Sequence, residues 1–190
     1  MSFTVFYLIF CTIAFIYRLR LKKKTRALHV KHGKIYGKWT LKAMYGGLFL
    51  VILGAPIEYF ICKRDINLTI AGMGLALWLS SLFARKWPLK ELGEYVSPHA
   101  EIREGQTLIK QGPYRYMRHP YYLCLILEGI GFVLISNAYY TLWFTILYGI
   151  PIIFVRIHYE EKALIDEFGQ DYLDYKKEVY AFLPLKKVKE

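Results

Sequence analysis

The sequence predicts an all-α integral membrane protein of five transmembrane helices, with amphipathic helices on the cytosolic side. Three observations carry this prediction. Of 190 residues, 55% are hydrophobic and 17% aromatic, more apolar surface than one soluble domain of this length can cover with polar groups. The apolar residues gather into five runs of membrane-spanning length. The net charge of +11 would point to nucleic acid in a soluble protein, but here it sits between the apolar runs and after the last one. Basic residues so placed orient a chain across a bilayer, and no nucleic-acid partner is expected.

A helix crosses the ~30 Å hydrocarbon core in roughly 20 residues. The first span covers about 3–19. It is short, so Arg18 has to snorkel to the interface. No basic residue precedes the run and no small-x-small site follows it, which speaks against a cleaved signal peptide. The second span covers about 41–62 and the third 66–84. Only Lys63, Arg64 and Asp65 separate them, which predicts a tight helical hairpin. The fourth covers 120–136 and the fifth 139–155, joined by a turn around Asn137 into a second hairpin. The chain reads as a single domain, 1–190.

Counting basic residues orients the bundle. The 18–42 segment holds ten Lys and Arg and no acid, so it belongs inside and the N-terminus outside. The 85–118 segment and the C-terminal tail then also lie inside, with seven basic residues each, and only Lys63 and Arg64 lie outside. A four- or six-helix count would put a seven-residue basic cluster on the wrong face. The basic stretch 20–38 reads as a topology anchor touching anionic lipid. Glycines within the spans, Gly74 and Gly131 among them, suit close helix packing where lipid offers no hydrophobic drive. Pro56 and Pro151 are expected to kink the second and fifth helices. Cys11, Cys62 and Cys124 lie in or beside apolar runs without metal or disulfide spacing, and read as small buried hydrophobes.

The chemistry-bearing residues lie in two cytosolic segments, 85–119 and 156–190. In the first, Gly112-Pro113 signals a turn, and Pro120 suits a first helical position, which leaves His119 at the mouth of the fourth helix. Tyr114, Tyr116, Tyr121 and Tyr122 gather around it. By composition alone the favoured reading is an aromatic interface belt with Arg115 and Arg118 as lipid anchors, and a functional cluster is the other. In the second segment, Arg156 and Glu160 share a helical face, either as a functional pair or as an ordinary i,i+4 surface pair. Gly169 is expected to cap that helix, and residues 171–178 read as a second short helix carrying Tyr172, Leu173 and Tyr175. The pair lies on the membrane or lids a pocket. Val179 to Leu185 is an apolar tail broken by Pro184. Within the spans, Glu58 is near an outer end and can snorkel, whereas Glu128 lies near the midplane and needs a partner.

Two blocks carry a resemblance. One is Gly112-Pro-Tyr-Arg-Tyr-Met-Arg-His-Pro-Tyr-Tyr122. The other is Arg156-x-x-x-Glu160-Glu161-x-x-Leu164, continued by Phe168-Gly169-x-x-Tyr172-x-x-Tyr175-x-x-x-Val179 and Pro184. In order and spacing they resemble the isoprenylcysteine carboxyl methyltransferase family of integral membrane enzymes, strongly from Gln106 to Pro184 and weakly from about Ile66. Related phospholipid N-methyltransferases share much of the pattern, and membrane sterol reductases share part. With five spans the chain is similar to a minimal, prokaryotic-type member. The resemblance implies that the cytosolic helices form a pocket for S-adenosylmethionine, contacted by the residues at Gln106, Thr107, Leu108, Ile109, Tyr114, His119, Pro120, Tyr121, Tyr122 and Glu160. It implies catalytic roles for Arg156 and Glu160, with Arg156 holding a substrate carboxylate, and a loose match at His99.

The chemistry of these residue types agrees. A polar methyl donor from the cytosol and a lipid-tailed acceptor confined to the bilayer meet at the cytosolic helix ends. A carboxylate, with a reference pKa of ~4, is ionised at neutral pH and needs no general base. The task is desolvation and alignment, for which a guanidinium's planar fork is suited. The expected acceptor is therefore a lipophilic, prenylcysteine-like carboxylate, with membrane lipids around the protein. A phospholipid amine acceptor is the leading alternative and would call for a general base. An NADPH-dependent membrane reductase and a non-catalytic membrane scaffold are the remaining ones.

Overall fold

The computed structural model describes residues 2–26, 35–63 and 65–182, with side chains from 2–17, 35–63 and 65–182. The expectations for Arg18, Arg64, Pro184 and residues 20–34 of the basic stretch lie outside the described side chains. Helix α1 spans Phe3–Arg26 and strand β1 Ile35–Tyr36; α2 is Lys38–Cys62, α3 Leu68–Ala84 and α4 Lys86–Leu92. Strand β2 is Ala100–Glu101, followed by α5 Pro120–Ile135, α6 Tyr139–Phe144, α7 Ile150–Phe168 and α8 Gln170–Glu178.

Three helices are long and apolar enough to cross a membrane among the described residues: Lys38–Cys62, the continuous Leu68–Tyr95, and the continuous Tyr139–Phe168. Phe3–Tyr17 and Pro120–Ile135 are shorter apolar helices. The local signals explain the boundaries. Gly37 turns left-handed (φ 52°) ahead of α2, which starts three residues earlier than the apolar run. Asn67 caps α3, accepting from the N–H groups of Thr69 and Ile70. Pro120 occupies the first turn of α5 behind His119. Gly169, at φ 53°, ends α7 with its N–H on Ile165 O. Between α6 and α7 lies a π-turn, Thr145–Gly149, just before Pro151. Proline has no N–H for the preceding turn, and the widened turn absorbs the expected kink.

Two expectations are corrected. The helices α2 and α3 do not form a closely packed hairpin: α3 runs along α5, and α2 along α6 and α7. The reason is backbone proximity. A Cβ on Gly131 would stand 2.7 Å from Trp78 N, and one on Gly74 2.8 Å from Ile135 N. The two helices thus touch main chain to main chain, a contact a larger side chain would forbid. Glu58 does not snorkel. It is buried and turns inward, accepting from Tyr140 N (3.0 Å), Thr141 N (2.8 Å) and Thr141 Oγ1 (2.9 Å). It therefore caps the first turn of α6 from a different helix.

The remaining elements lock around this pair. Phe10 of α1 lies edge-on to Trp78 at 4.9 Å and near Phe132 at 5.6 Å, within a core that also holds Tyr7, Val51, Ala55 and Ile135. Asn137, left-handed at φ 52°, accepts from Asn67 N (2.8 Å) and donates to Leu134 O (3.0 Å). That bond ties the connection before α3 to the turn after α5. At the other end β1 pairs antiparallel with β2, Ile35 opposite Glu101 and Tyr36 opposite Ala100. The all-α expectation did not include this short ladder.

Candidate functional site

A cavity of about 510 Å³ opens at the end of the bundle where α5 begins and α7 leaves it. Its polar part is lined by Tyr114, Arg118, His119, Tyr121, Tyr122, Arg156 and Glu160. Its apolar part is lined by Met44, Leu48 and Ile52 of α2, Leu125 and Ile126 of α5, and Ile152 and Ile153 of α7. Polar head and apolar trough are one continuous space.

The Gly112–Arg115 segment is a single 3₁₀ turn, made possible by Gly112 at φ 59°, where a Cβ would also run into the Glu91 side chain. The turn buries Tyr114, whose carbonyl accepts from Tyr175 Oη of α8 at 2.6 Å. Burial, with the nearby Glu160 charge adding to it, pushes the Tyr114 phenol well above its ordinary pKa, so it stays a neutral donor. Burial raises the Tyr175 phenol as well, against the opposing pull of Arg118.

Glu161 organises the polar rim. Its Oε1 accepts from Arg118 Nε (3.0 Å) and Nη2 (2.7 Å) and lies 3.1 Å from His119 Nε2, while its Oε2 accepts from Lys176 Nζ at 2.6 Å. Arg118 reaches on to the Val179 carbonyl, and the backbone N–H groups of Arg118 and His119 donate to Tyr180 O and Ala181 O. One buried carboxylate thus joins the loop before α5, helix α7 and helix α8. A carboxylate only accepts, so a neutral His119 presents its Nε2–H to Glu161.

Next to this rim, Tyr122 Oη donates to Glu160 Oε2 at 2.6 Å. Arg156, 1% exposed, donates from Nη1 to Thr40 Oγ1 (3.1 Å) and from Nη2 to Pro98 O (2.6 Å). It forms no ion pair with Glu160 or any other described carboxylate, so the surface-pair alternative does not hold. Arg85 pairs with Glu128 (2.6 Å) and Arg118 with Glu161 (2.7 Å). Arg103 lies 4.0 Å from Glu101. Arg85 also donates to Tyr17 Oη, so the midplane acid Glu128 has its partner.

The structure brings Tyr114, His119, Pro120, Tyr121, Tyr122, Arg156 and Glu160 around one cavity. Gln106, Thr107, Leu108 and Ile109 do not line it. The Gln106 side chain accepts from Arg103 N, Leu108 packs on Tyr172, Tyr175 and Val179, and Thr107 is exposed. His99 is also outside the lining, its N–H on Ser97 Oγ. Sequence reasoning missed Glu161, Arg118 as its partner, Thr40, Pro98 and Arg85. Glu161 stands next to Glu160 in a Glu-Glu pair, and nothing in spacing says which of the two meets the cations.

Comparison with known proteins bears on the same region. The sequence model of the family described as isoprenylcysteine carboxyl methyltransferase (ICMT) matches residues 74–166. Over that stretch the chain is similar to this family. The ICMT match runs from α3 through most of α7 and so includes Arg85, His119, Arg156 and Glu160, while Thr40, Lys176 and α8 lie outside it. The chain is 37% identical over 89 residues to the uncharacterized protein YpbQ of Bacillus subtilis (strain 168), covering 47% of this chain and 53% of that one. It is 30% identical over 109 residues to the protein-S-isoprenylcysteine O-methyltransferase of Schizosaccharomyces pombe, covering 50% and 46%. The chain thus spans about half the length of these curated relatives. The solved structure of a eukaryotic intramembrane Ras methyltransferase ICMT superposes with a TM-score of 0.63 at 23% identity, over 74% of this chain and 54% of that one. At that identity the likeness is one of fold, and with the three apolar helices it makes this a membrane protein.

Proposed function

We propose that this chain transfers a methyl group from S-adenosylmethionine to the carboxylate of a lipophilic, isoprenylcysteine-like acceptor at the cytosolic membrane face. In this reading the single domain crosses the bilayer five times, with the N-terminus outside and the C-terminus in the cytosol. The observation that carries the reading is Arg156: a guanidinium 1% exposed, lining the cavity, with neutral partners and no ion pair among the described residues. A buried cation without a counter-charge is costly, by several kcal/mol, and an anionic acceptor offsets that cost. A cationic amine would add to it.

The donor set fits the cofactor. Glu160 with Tyr122, together with His119 and Tyr114, offer a carboxylate, phenols and an imidazole to the cavity. Glu160 and the aromatic rings suit a ligand bearing an ammonium and a sulfonium. The aligned methyl sulfonium is what S-adenosylmethionine supplies when bound. Arg156 holds the acceptor carboxylate in bidentate fashion, already ionised, so that no base is needed. The trough of Met44, Leu48, Leu125 and Ile153 takes the apolar tail out of water and excludes water from the reacting oxygen. Membrane lipids surround the exposed apolar faces.

The test is Arg156→Ala and Arg156→Lys with cofactor binding and turnover measured separately. Arg156→Ala is expected to leave S-adenosylmethionine binding intact and to lower turnover of a small prenylcysteine analogue by ~30- to 1000-fold, or ~2–4 kcal/mol. Arg156→Lys is expected to be poor as well, because an ammonium lacks the fork. Near wild-type turnover in Arg156→Ala refutes the carboxylate clamp and favours an amine acceptor. Calorimetry that finds NADPH binding and no S-adenosylmethionine binding refutes the methyltransferase reading.

A further inference from the structure

We propose that Thr40, at the start of α2, is a positioning residue for Arg156, and that the β1–β2 ladder exists to bring it there. The inference rests on the carboxylate reading of Arg156 given above.

Thr40 is fully buried. Its hydroxyl donates to Gly37 O at 2.7 Å, which commits its only proton. The oxygen's lone pairs are then the only function left, and Arg156 Nη1 uses one of them at 3.1 Å. Thr40 is therefore an obligate acceptor for the guanidinium. The second acceptor, Pro98 O at 2.6 Å from Nη2, comes from a different part of the chain. Pro98 lies two residues before β2 and Thr40 four residues after β1, and those strands pair with each other. The ladder is thus the device that sets the two acceptors side by side. The 97–101 turn is stiffened by Ser97 Oγ, which donates to Glu101 (2.6 Å) and accepts from His99 N (3.0 Å).

Two neutral acceptors orient the guanidinium without neutralising it. Its Nε is buried and has no hydrogen-bond partner among the described residues. A carboxylate that enters the cavity meets a guanidinium already held in place, so the ordering cost of a long side chain is met before the acceptor arrives. A carboxylate in place of Thr40 would hold Arg156 as firmly but would remove the charge the acceptor needs.

The experiment compares Thr40→Val, which keeps the shape and removes the acceptor, with Thr40→Ser, which keeps the acceptor, and with Arg156→Ala as reference. Four quantities are read in detergent: S-adenosylmethionine affinity, turnover of an S-prenylcysteine analogue, the binding ratio of that free acid to its methyl ester, and thermal unfolding. In Thr40→Val the acceptor kcat/KM and the acid-to-ester ratio are expected to fall about tenfold while cofactor affinity stays within about twofold. Thr40→Ser is expected to restore both. A purely structural role would lower the unfolding temperature and leave the acid-to-ester ratio unchanged. Should Thr40→Val fail to fold, Thr40→Ala, which needs less space, takes its place. A folded Thr40→Val or Thr40→Ala with an unchanged acid-to-ester ratio overturns the inference, as does a Thr40→Ser variant that is equally impaired. If Arg156→Ala itself turns over normally, the carboxylate reading falls. If only Arg156→Ala is impaired, that reading stands and the Thr40 role alone falls.

Discussion

At the residue scale, the polar rim separates groups that hold the cavity together from groups that face it. Glu161 accepts from Arg118 and Lys176 and meets His119, and it is 9% exposed. Removing it leaves the buried Arg118 guanidinium and His119 imidazole, and the exposed Lys176 ammonium, without their anion. Glu161→Ala is therefore expected to cost about 3–5 kcal/mol, read as a large drop in thermal unfolding temperature in detergent. An unchanged unfolding temperature would mean that the three partners are held by something else. Tyr122 behaves differently. Its phenol donates to Glu160 across 2.6 Å, while its ring packs with Ile153 and Ile157. Tyr122→Phe keeps the ring and removes one charge-assisted bond. The expected outcome is a loss of S-adenosylmethionine affinity of roughly 3- to 10-fold by calorimetry, with the unfolding temperature little changed. Affinity equal to wild type would remove the Tyr122–Glu160 pair from the cofactor site.

At the element scale, the contact between α3 and α5 fixes where the helix bearing His119 and Tyr122 stands. The two backbones meet at Gly74 and Gly131, where an added Cβ would lie under 3.0 Å from main-chain atoms. Main chain cannot step aside as a side-chain tip can. Gly131→Ala is expected to destabilise the protein by about 1–3 kcal/mol and to lower turnover through displacement of α5, whereas Gly72→Ala, with nothing within 4 Å, serves as the neutral control. Equal stability of the two variants would show that the helices can part without cost. The Glu58 cap makes a second test at the same scale. Glu58→Ala removes an acceptor from Tyr140 N, Thr141 N and Thr141 Oγ1, at an expected cost of about 1–3 kcal/mol, and Glu58→Gln recovers part of it because the amide oxygen still accepts.

At the scale of the whole molecule, orientation follows from charge. Of 26 basic residues, 24 fall in the segments assigned to the cytosol. Reporter fusions after Leu19, at Asp65, near Gly105, at Asn137 and at the C-terminus are expected to read in, out, in, out, in. A cytosolic signal at Asp65 would end the five-span reading. The bond between Asn67 and Asn137 adds a constraint: the two connections sit together and must read on the same side.

What the sequence determined by itself was local or cumulative. Pro120 behind His119, Gly169 after α7 and the short helix carrying Tyr172 and Tyr175 are all decided by covalent neighbours within a turn or two. Apolar runs placed the helices, and the two motif blocks carried the resemblance to the family whose model matches residues 74–166. The tertiary structure alone decided the pairings. Glu128 and Glu161 found Arg85 and Arg118 43 residues away in each case, and Arg156 found Thr40 across 116. Arg156 and Glu160 share a helical face, yet they part because one meets neutral oxygens from α2 and the 85–119 segment while the other meets the Tyr122 phenol. Glu58, read as able to snorkel from near an outer helix end, turns inward because the free N–H groups of another helix lie within its reach. Helical periodicity says which residues share a face; which face meets which is settled by where two backbones can approach closely, as at Gly74 and Gly131, and by which buried charges can be satisfied once they do.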